Sequence, residues 1–208
     1  VAGEAEIARR FLAVIARHTS RLEALVGDLL DLSRLESPSA SFQPSVLRLQ
    51  RVGDELHDRW SNEIDRKQLR WGCDIADDCP NVFANLYLLQ LVLDNLVDNA
   101  IKFTDGGGKI GVACRREGRS VEIEVYDTGC GIAPQDHQRV FERFYQVESA
   151  RPGGRAAAAP PRGTGLGLSI VKHAVAALGG SVRLDSALGT GTRVTVTIPD
   201  EAHPVTHA

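Results

Sequence analysis

The sequence contains few cysteines, and their spacing follows no pattern. There are four in 208 residues, and no two of them form a Cys-x-x-Cys pair: Cys73, Cys79, Cys114 and Cys130. Thiols this sparse and irregular argue against a disulfide framework and against a zinc site of the paired-cysteine type. We therefore expect the four thiols to be reduced and buried.

Long apolar runs, a signal peptide and an excess of basic residues are also missing. No stretch approaches the ~20 uninterrupted apolar residues that a membrane helix requires. The net charge of −3 argues against a basic nucleic-acid surface. We therefore predict a cytosolic polypeptide that does not bind nucleic acid. Because the chain starts at Val1 without Met, we interpret it as a piece of a longer protein and expect any membrane segment to lie upstream.

The first 36 residues have the pattern of a long amphipathic helix. From Glu4 to Glu36, a narrow stripe recurs at alternating spacings of four and three residues, formed by Phe11, Ile15, His18, Leu22, Leu25, Leu29 and Leu32. This spacing is typical of a coiled-coil seam, which a single helix cannot bury alone. We therefore expect a homodimer that forms through this helix.

The rest of the chain has the pattern of a mixed α and β domain. Prolines and serines in residues 37–44 end the long helix and predict a linker. The predicted order beyond it is β, α, β, β, α, β, β, α, β, β. This order favours an α+β fold, a two-layer α/β sandwich in which a mixed sheet carries helices on one face. We place the helix and linker at 1–41, the compact domain at 42–200 and a tail at 201–208.

Two asparagines lie on one face of a deeply apolar helix that begins after Asn85, its predicted N-cap. Asn95 and Asn99 are four residues apart, and Lys102 and Phe103 follow one turn later. Buried amides need hydrogen-bond partners, so a polar network at the end of the helix is one interpretation. In the other, the amide oxygens bind Mg²⁺ and Lys102 complements phosphate charge.

Two glycine-rich segments follow. Asp127-Thr128-Gly129-Cys130-Gly131 places a carboxylate at the end of a predicted strand, which is compatible with a plain turn, an aspartic-protease triplet or a ligand site. Gly163-Thr164-Gly165-Leu166-Gly167-Leu168-Ser169 opens a predicted helix, where backbone amides can hold phosphates. Its spacing fits neither the dinucleotide fold nor the P-loop, and a flexible linker is the alternative.

Four segments, in this order, resemble the N, G1, F and G2 boxes of the sensor histidine kinases of two-component systems. They are Asn95 to Thr104, Asp127 to Ile132, Phe141 to Tyr145 and Gly163 to Ile170. Leu29 to Glu36 resembles the end of the second dimerisation-hairpin helix of that family, and the similarity extends over about Phe11 to Pro199. The resemblance implies the Bergerat-type ATP-binding fold that gyrase, chaperones and histidine kinases share.

The resemblance also implies roles for individual residues. Asn99 is the expected principal Mg²⁺ ligand with Asn95 beside it, and these two and Lys102 are the expected catalytic residues. Asp127 is expected to bind the adenine amino group. Phe141 and Phe144 would anchor a lid over residues 150–162. The other residues expected to contact ATP are Phe103, Gly129, Gly131, Ile132, Gly163, Thr164, Gly165, Leu166, Gly167, Leu168 and Thr192.

The activity implied is transfer of the ATP γ-phosphoryl group to a histidine, and from there to an aspartate in the receiver domain of a response regulator. Gyrase-like ATPases resemble this fold but carry Glu where this chain has Asn95, and that glutamate serves as a base for water. Transfer therefore fits better than hydrolysis.

The usual phosphate-accepting motif is missing. His18 is followed by Thr-Ser-Arg-Leu and has no acidic neighbour, so we predict no phospho-acceptor in this chain. Removal of the first hairpin helix is the interpretation that we favour. The alternatives are a natural variant that acts as a non-catalytic, ATP-binding dimeric signalling module, and a serine kinase of the same superfamily.

Overall fold

A five-stranded sheet with three helices on one face makes up most of the structure. The computed structural model describes residues 2–37, 41–77, 79, 81–147 and 163–199. The helices are α1 (Ala2–Glu36), α2 (Leu49–Arg66), α3 (Leu86–Phe103) and α4 (Gly167–Ala177), and the strands are β1 (Ser45–Arg48), β2 (Arg70–Ile75), β3 (Asn81–Ala84), β4 (Lys109–Glu117), β5 (Ser120–Asp127), β6 (Ser181–Ala187) and β7 (Gly191–Pro199). The predicted lid, 150–162, and the predicted tail, 201–208, lie outside the described residues.

The sheet is mixed, as the sequence predicts. Its strand order is β2-β4-β5-β7-β6, where β2 pairs parallel to β4 and every other pair is antiparallel. β1 and β3 are not part of this sheet and form a separate antiparallel pair. Burial alternates along β5, where Val121, Ile123 and Val125 are buried and the residues between them are more exposed. The alternation means that the helices cover one face of the sheet and the other face is open.

Helix α3 is the most deeply buried helix, and both of its ends are capped. At its start, the Asn85 side chain accepts a hydrogen bond from the Leu88 backbone N–H at 3.0 Å, which confirms the predicted N-cap. At its end, the Lys67 ammonium donates to the carbonyls of Ile101, Lys102 (3.2 Å) and Thr104 (3.0 Å). A cation there satisfies free carbonyls and complements the helix dipole.

On the open face of the sheet, an aromatic ring covers two glycines. Tyr126 on β5 lies over Gly111, its partner on β4, and over Gly72, the partner of Gly111 on β2. A Cβ atom at Gly111 would come within 2.6 Å of Tyr126 Oη, so the phenol ring fills the space of the missing side chains. The Arg193 guanidinium also lies over this ring, 5.6 Å from its centroid.

The predicted seam of α1 divides between two surfaces. Leu32 is 3% exposed and packs with Leu166 and Ile170 at α4, and Leu25 packs against the same cluster. The other apolar seam residues that the structure describes remain exposed: Phe11, Ile15, Leu22 and Leu29. The expectation that one continuous seam serves a partner helix is therefore wrong for Leu25 and Leu32, because the chain's own domain buries them.

The four thiols occupy two different environments. Cys79 and Cys114 are buried, whereas Cys73 and Cys130 are exposed. The prediction that all four thiols are buried is therefore wrong for Cys73 and Cys130, and that of reduced thiols stays a prediction. Cys73 lies on β2, an edge strand, and Cys130 lies in a glycine turn. No helix among the described residues has both the length and the apolar character to cross a membrane.

Candidate nucleotide-binding site

The ends of β5, β6 and β7 carry a polar group of residues that we name the strand-end cluster: Asp127, Gly129, Gly131, Ser186 and Thr192. Asp127 Oδ1 accepts a hydrogen bond from the Gly129 backbone N–H at 2.7 Å. Burial raises the pKa of the Asp127 carboxyl, and the backbone N–H groups of Gly129 and Thr192 offset part of this rise. Backbone N–H groups thus orient the carboxylate, which can accept a hydrogen bond from the amino group of a ligand.

Ser186 connects the segments of the strand-end cluster, and sequence reasoning missed it. Its Oγ accepts from the Ile132 N–H at 2.8 Å, donates to the Gly191 carbonyl at 2.9 Å and lies 3.0 Å from Thr192 Oγ1. The residue is buried. A signal was available, because Ser186 continues the inward-facing alternation of Val182 and Leu184 with a polar side chain, and buried hydroxyls need partners.

Gly131 allows the turn after β5 to lie close to the end of β6. Its φ of +68° lies in the left-handed region, and an added Cβ would collide with the Ala187 carbonyl. A Cβ at Gly129 would also collide, at 2.4 Å, with the Phe103 carbonyl oxygen at the end of α3. The glycines at these positions permit close backbone approach. An open cleft of about 530 Å³ borders Asp127 and Thr192.

A second group, the helix-start cluster, lies where α3 meets α4: Asn95, Asn99, Thr164, Gly165 and Gly167. Asn95 Nδ2 donates to the Leu91 carbonyl at 2.8 Å. A Cβ at Gly167 would lie 2.9 Å from Asn95 Oδ1 and 3.8 Å from Asn99 Nδ2. Both amides therefore lie beside the first residue of α4, where free backbone N–H groups favour an anion.

The amide pair is suited to Mg²⁺. Among the described residues, no three His, Cys, Asp or Glu side chains converge on a metal position. Asn95 already uses its amide nitrogen on Leu91, which leaves Oδ1 as a hard oxygen ligand. Mg²⁺ commonly takes few protein ligands and completes its octahedron with water and phosphate oxygens. Two amides beside a helix start, where free backbone N–H groups favour an anion, fit that requirement.

The segment before the glycine loop supports the helix-start cluster. Phe144 is 60% exposed and has a φ of +61°, an uncommon conformation for a bulky residue. Its backbone packs directly against Gly165, where a Cβ would come within 2.8 Å of the Phe144 carbonyl carbon. Gln146 Nε2 donates to the Gly163 carbonyl at 3.0 Å. Phe141 lies in a short 3-10 turn and is half-buried.

Several predicted contacts have a different environment from the one expected. Leu166 is completely buried and Leu168 packs against the main core, so their side chains serve packing and leave only the backbone for a ligand. Lys102 forms an ion pair with Asp98 one turn earlier. Its predicted contact with phosphate stays a prediction. Phe103 is exposed, and its carbonyl accepts from the Cys130 N–H at 3.2 Å.

Helix α3 joins the two clusters. Asn95 in the helix-start cluster and Phe103 beside the strand-end cluster are eight residues apart, which is about 12 Å along a helix. The sequence profile described as "Histidine kinase-, DNA gyrase B-, and HSP90-like ATPase" matches residues 85–202. This range includes every member of both clusters. The chain belongs to this ATPase family.

Relatives of this ATPase domain are named as histidine kinases. The chain is 36% identical over 210 aligned positions to the sensor-like histidine kinase SenX3 of Mycolicibacterium smegmatis, covering 100% of this chain and 52% of that protein. It is 35% identical over 197 positions to the sensor histidine kinase WalK of Bacillus subtilis, covering 93% and 31%. The chain thus spans about half the length of the first relative and less of the second.

Solved structures show the same fold. Full-length ShkA in complex with AMPPNP superposes with a TM-score of 0.76 at 26% identity, covering 92% of this chain and 38% of that one. The mycobacterial sensor histidine kinase MprB gives a TM-score of 0.61 at 27% identity, covering 75% and 97%. The described domain is therefore an ATP-binding catalytic domain of the histidine kinase type, and the predicted α/β sandwich is confirmed.

Proposed function

We propose that this chain is the catalytic core of a two-component sensor histidine kinase, which binds Mg·ATP and transfers the γ-phosphoryl group to a histidine. The observation that carries the proposal is the position of Asn95 and Asn99 beside Gly167 at the start of α4. An amide at position 95 can bind a metal ion but cannot take a proton from water. This chemistry supports holding ATP for transfer rather than hydrolysing it.

The two clusters divide the work of binding. Asp127 would accept from the adenine amino group, and its backbone partners keep the carboxylate in place before the ligand arrives. Asn99 and Asn95 would hold Mg²⁺, which neutralises phosphate charge when it is bound. The N–H groups at the start of α4 would orient the phosphates. Phosphoryl transfer depends mainly on such positioning and charge stabilisation.

The acceptor and the partners belong to the same proposal. We propose that a histidine outside this chain takes the phosphoryl group, because His18 is exposed on α1 without an acidic neighbour in sequence. The phosphoryl group would then pass to a response-regulator aspartate. A solved complex of histidine kinase ThkA with response regulator TrrA has the same fold, with a TM-score of 0.73 at 21% identity over 93% of this chain and 51% of that one. We propose that these reactions take place in the cytosol.

We also propose that two copies pair through α1. Phe11, Ile15 and Leu22 are 65%, 59% and 62% exposed on one described helix, and paired helices bury such residues. Sedimentation of the wild type and of Leu22→Lys tests this pairing, with the exposed Arg21→Lys as control. A monomeric wild type would contradict it.

Labelling with γ-labelled ATP and Mg²⁺ tests the kinase proposal. The chain is incubated alone and with a separately expressed dimerisation hairpin that carries an acceptor histidine, and acid-labile, alkali-stable label is scored. Label on the added hairpin, lost in Asn99→Ala, is the expected result. Label on the chain alone that disappears in His18→Ala would contradict the acceptor assignment. ATP binding without label on either protein would favour the non-catalytic signalling module.

A further inference from the structure

A carboxylate of α1 is bound to the glycine loop of the nucleotide site. Thr164 Oγ1 donates a hydrogen bond to Asp28 Oδ2 at 2.6 Å, although 136 residues separate the two. The same Thr164 oxygen accepts from the Leu166 backbone N–H at 3.2 Å. One hydroxyl thus joins an anion on α1 to the amides that precede α4.

The Asp28 carboxylate occupies the electrostatic environment that phosphates are expected to use. Burial raises the pKa of this carboxyl, and the Thr164 hydrogen bond opposes that rise. The charges of Asp31 and Asp98 also raise the pKa of the carboxyl, whereas that of Lys102 on α3 lowers it. A helix start favours a negative charge, and here α1 supplies one.

Other contacts hold α1 in this position. Leu32, one turn after Asp28, is buried against Leu166 and Ile170. Tyr87 Oη donates to Asp31 Oδ1 at 2.8 Å, and Glu36 forms ion pairs with Arg143 and, at 3.6 Å, with His173 if that ring is protonated. These contacts span the glycine loop, the start of α3 and the segment around Phe144. Helix α1 is thus docked on the elements that form the helix-start cluster.

We infer that docked α1 competes with nucleotide phosphates for the glycine loop, with the Asp28 carboxylate taking the part of the phosphate anion. Two anions near one loop repel each other, and Thr164 has only one proton to donate. The inference rests on the proposed function, because it assumes that ATP phosphates bind at the helix-start cluster. By linkage, nucleotide binding weakens the docking of α1 by the same factor by which docking weakens nucleotide affinity.

The test compares two ligands and two charge-neutralising variants. The dissociation constants of Mg·AMPPNP and of adenosine, which has no phosphate, are measured by NMR titration for the wild type, Asp28→Asn and Glu23→Gln. Glu23 is an exposed carboxylate on α1, so its substitution removes one negative charge without removing the loop contact. Asp28→Asn is expected to bind Mg·AMPPNP about 5- to 50-fold more tightly. Adenosine affinity and the Glu23→Gln variant are expected to stay at wild-type values.

A second variant undocks α1 without changing charge. Leu32→Ala removes the buried contact with Leu166 and Ile170, so it is also expected to raise Mg·AMPPNP affinity. Mg·AMPPNP affinity equal to or below that of the wild type in both Asp28→Asn and Leu32→Ala would overturn the competition and leave the kinase proposal standing. Absence of Mg·AMPPNP binding in all variants would overturn the nucleotide site itself, together with the inference.

Discussion

The strand-end cluster and the helix-start cluster, the two ends of the proposed nucleotide site, are held together in different ways. The first is built within a single sheet, where Ser186 and backbone groups fix every segment to the next. The second is assembled from separate elements that meet through side chains, including the hydrogen bond from Thr164 to Asp28 on α1. Under the proposed function, base recognition would be fixed by the fold of the sheet, whereas phosphate binding would depend on how the other elements are placed.

An added methyl group gives the largest expected effect, because it breaks the strand-end cluster sterically. Gly131→Ala places a Cβ against the Ala187 carbonyl at a positive φ and should lower the free energy of unfolding by about 3 kcal/mol or more. Gly189→Ala is the matched control. It also has a positive φ but has open space around its Cβ, so about 1 kcal/mol is expected. Urea unfolding measures the free energy of unfolding of both variants. Equal losses would contradict the prediction, because they would mean that the backbone shifts to avoid the collision with the Ala187 carbonyl.

Neutralising the carboxylate separates recognition from stability within the strand-end cluster. Asp127→Asn replaces an acceptor with an amide of the same shape and should weaken Mg·AMPPNP binding about 10- to 100-fold, through loss of a charged hydrogen bond. Calorimetric titration provides the measurement. Asp65→Asn, which neutralises an exposed carboxylate on α2 outside the cleft, should bind like the wild type. Unchanged affinity in Asp127→Asn would remove this residue from the base site.

A methyl group at the start of α4 should have a smaller and more selective effect than one at Gly131. Gly167→Ala brings a Cβ to 2.9 Å from Asn95 Oδ1, a side-chain atom that can shift slightly. The fold should therefore tolerate it, while Mg²⁺-dependent phosphoryl transfer falls by about 10-fold, roughly the effect of a small displacement of positioning groups. Gly27→Ala on α1, where nothing lies within 4 Å of the added atom, is the control. Equal transfer rates in both variants would contradict the placement of the amides.

The smallest expected effect is a pH dependence of the strand-end cluster. Because folding raises the pKa of the Asp127 carboxyl above its ordinary 3.8, the protonated form is favoured in the folded chain. The stability that this group contributes is therefore complete below pH 3.8 and is lost as the pH rises through the folded pKa. Asp127→Asn should accordingly gain stability relative to the wild type between acid and neutral pH. Urea unfolding at several pH values checks the sign, and a gain that shrinks with pH would contradict it.

Local signals were sufficient for much of the fold and for one half of the site. The N-cap at Asn85 and the β4–β5 hairpin are set by residues close in sequence, and the structure confirms both. The spacing of Asn95 and Asn99 also predicted their common face. These features depend on short-range geometry, which periodicity and turn residues report directly.

Contacts between distant segments could not be predicted in the same way. Nothing local marks Asp28 as a partner of Thr164 or assigns Leu32 to α4 rather than to a second helix, because both choices bury the same stripe. The hydroxyl of Ser186 has a role only after β6, β7 and the turn at Ile132 are brought together. Helix periodicity predicts that one face of the helix is buried, but tertiary packing determines which element covers that face.

The ring of Tyr126 over Gly72 and Gly111 has a consequence for how this protein can change over time. A larger residue at either glycine would displace the ring, so a single replacement there should be harmful while the tyrosine is present. A small residue at position 126 would create room for a side chain at Gly72, whereas a Cβ at Gly111 would still meet the Gly72 carbonyl at 2.4 Å. The effects of substitutions at these three positions are therefore not additive. Positions 72 and 126 should therefore change together in related chains. A replacement at Gly72 is tolerated only after a compensating replacement at Tyr126, so the order of the mutations matters.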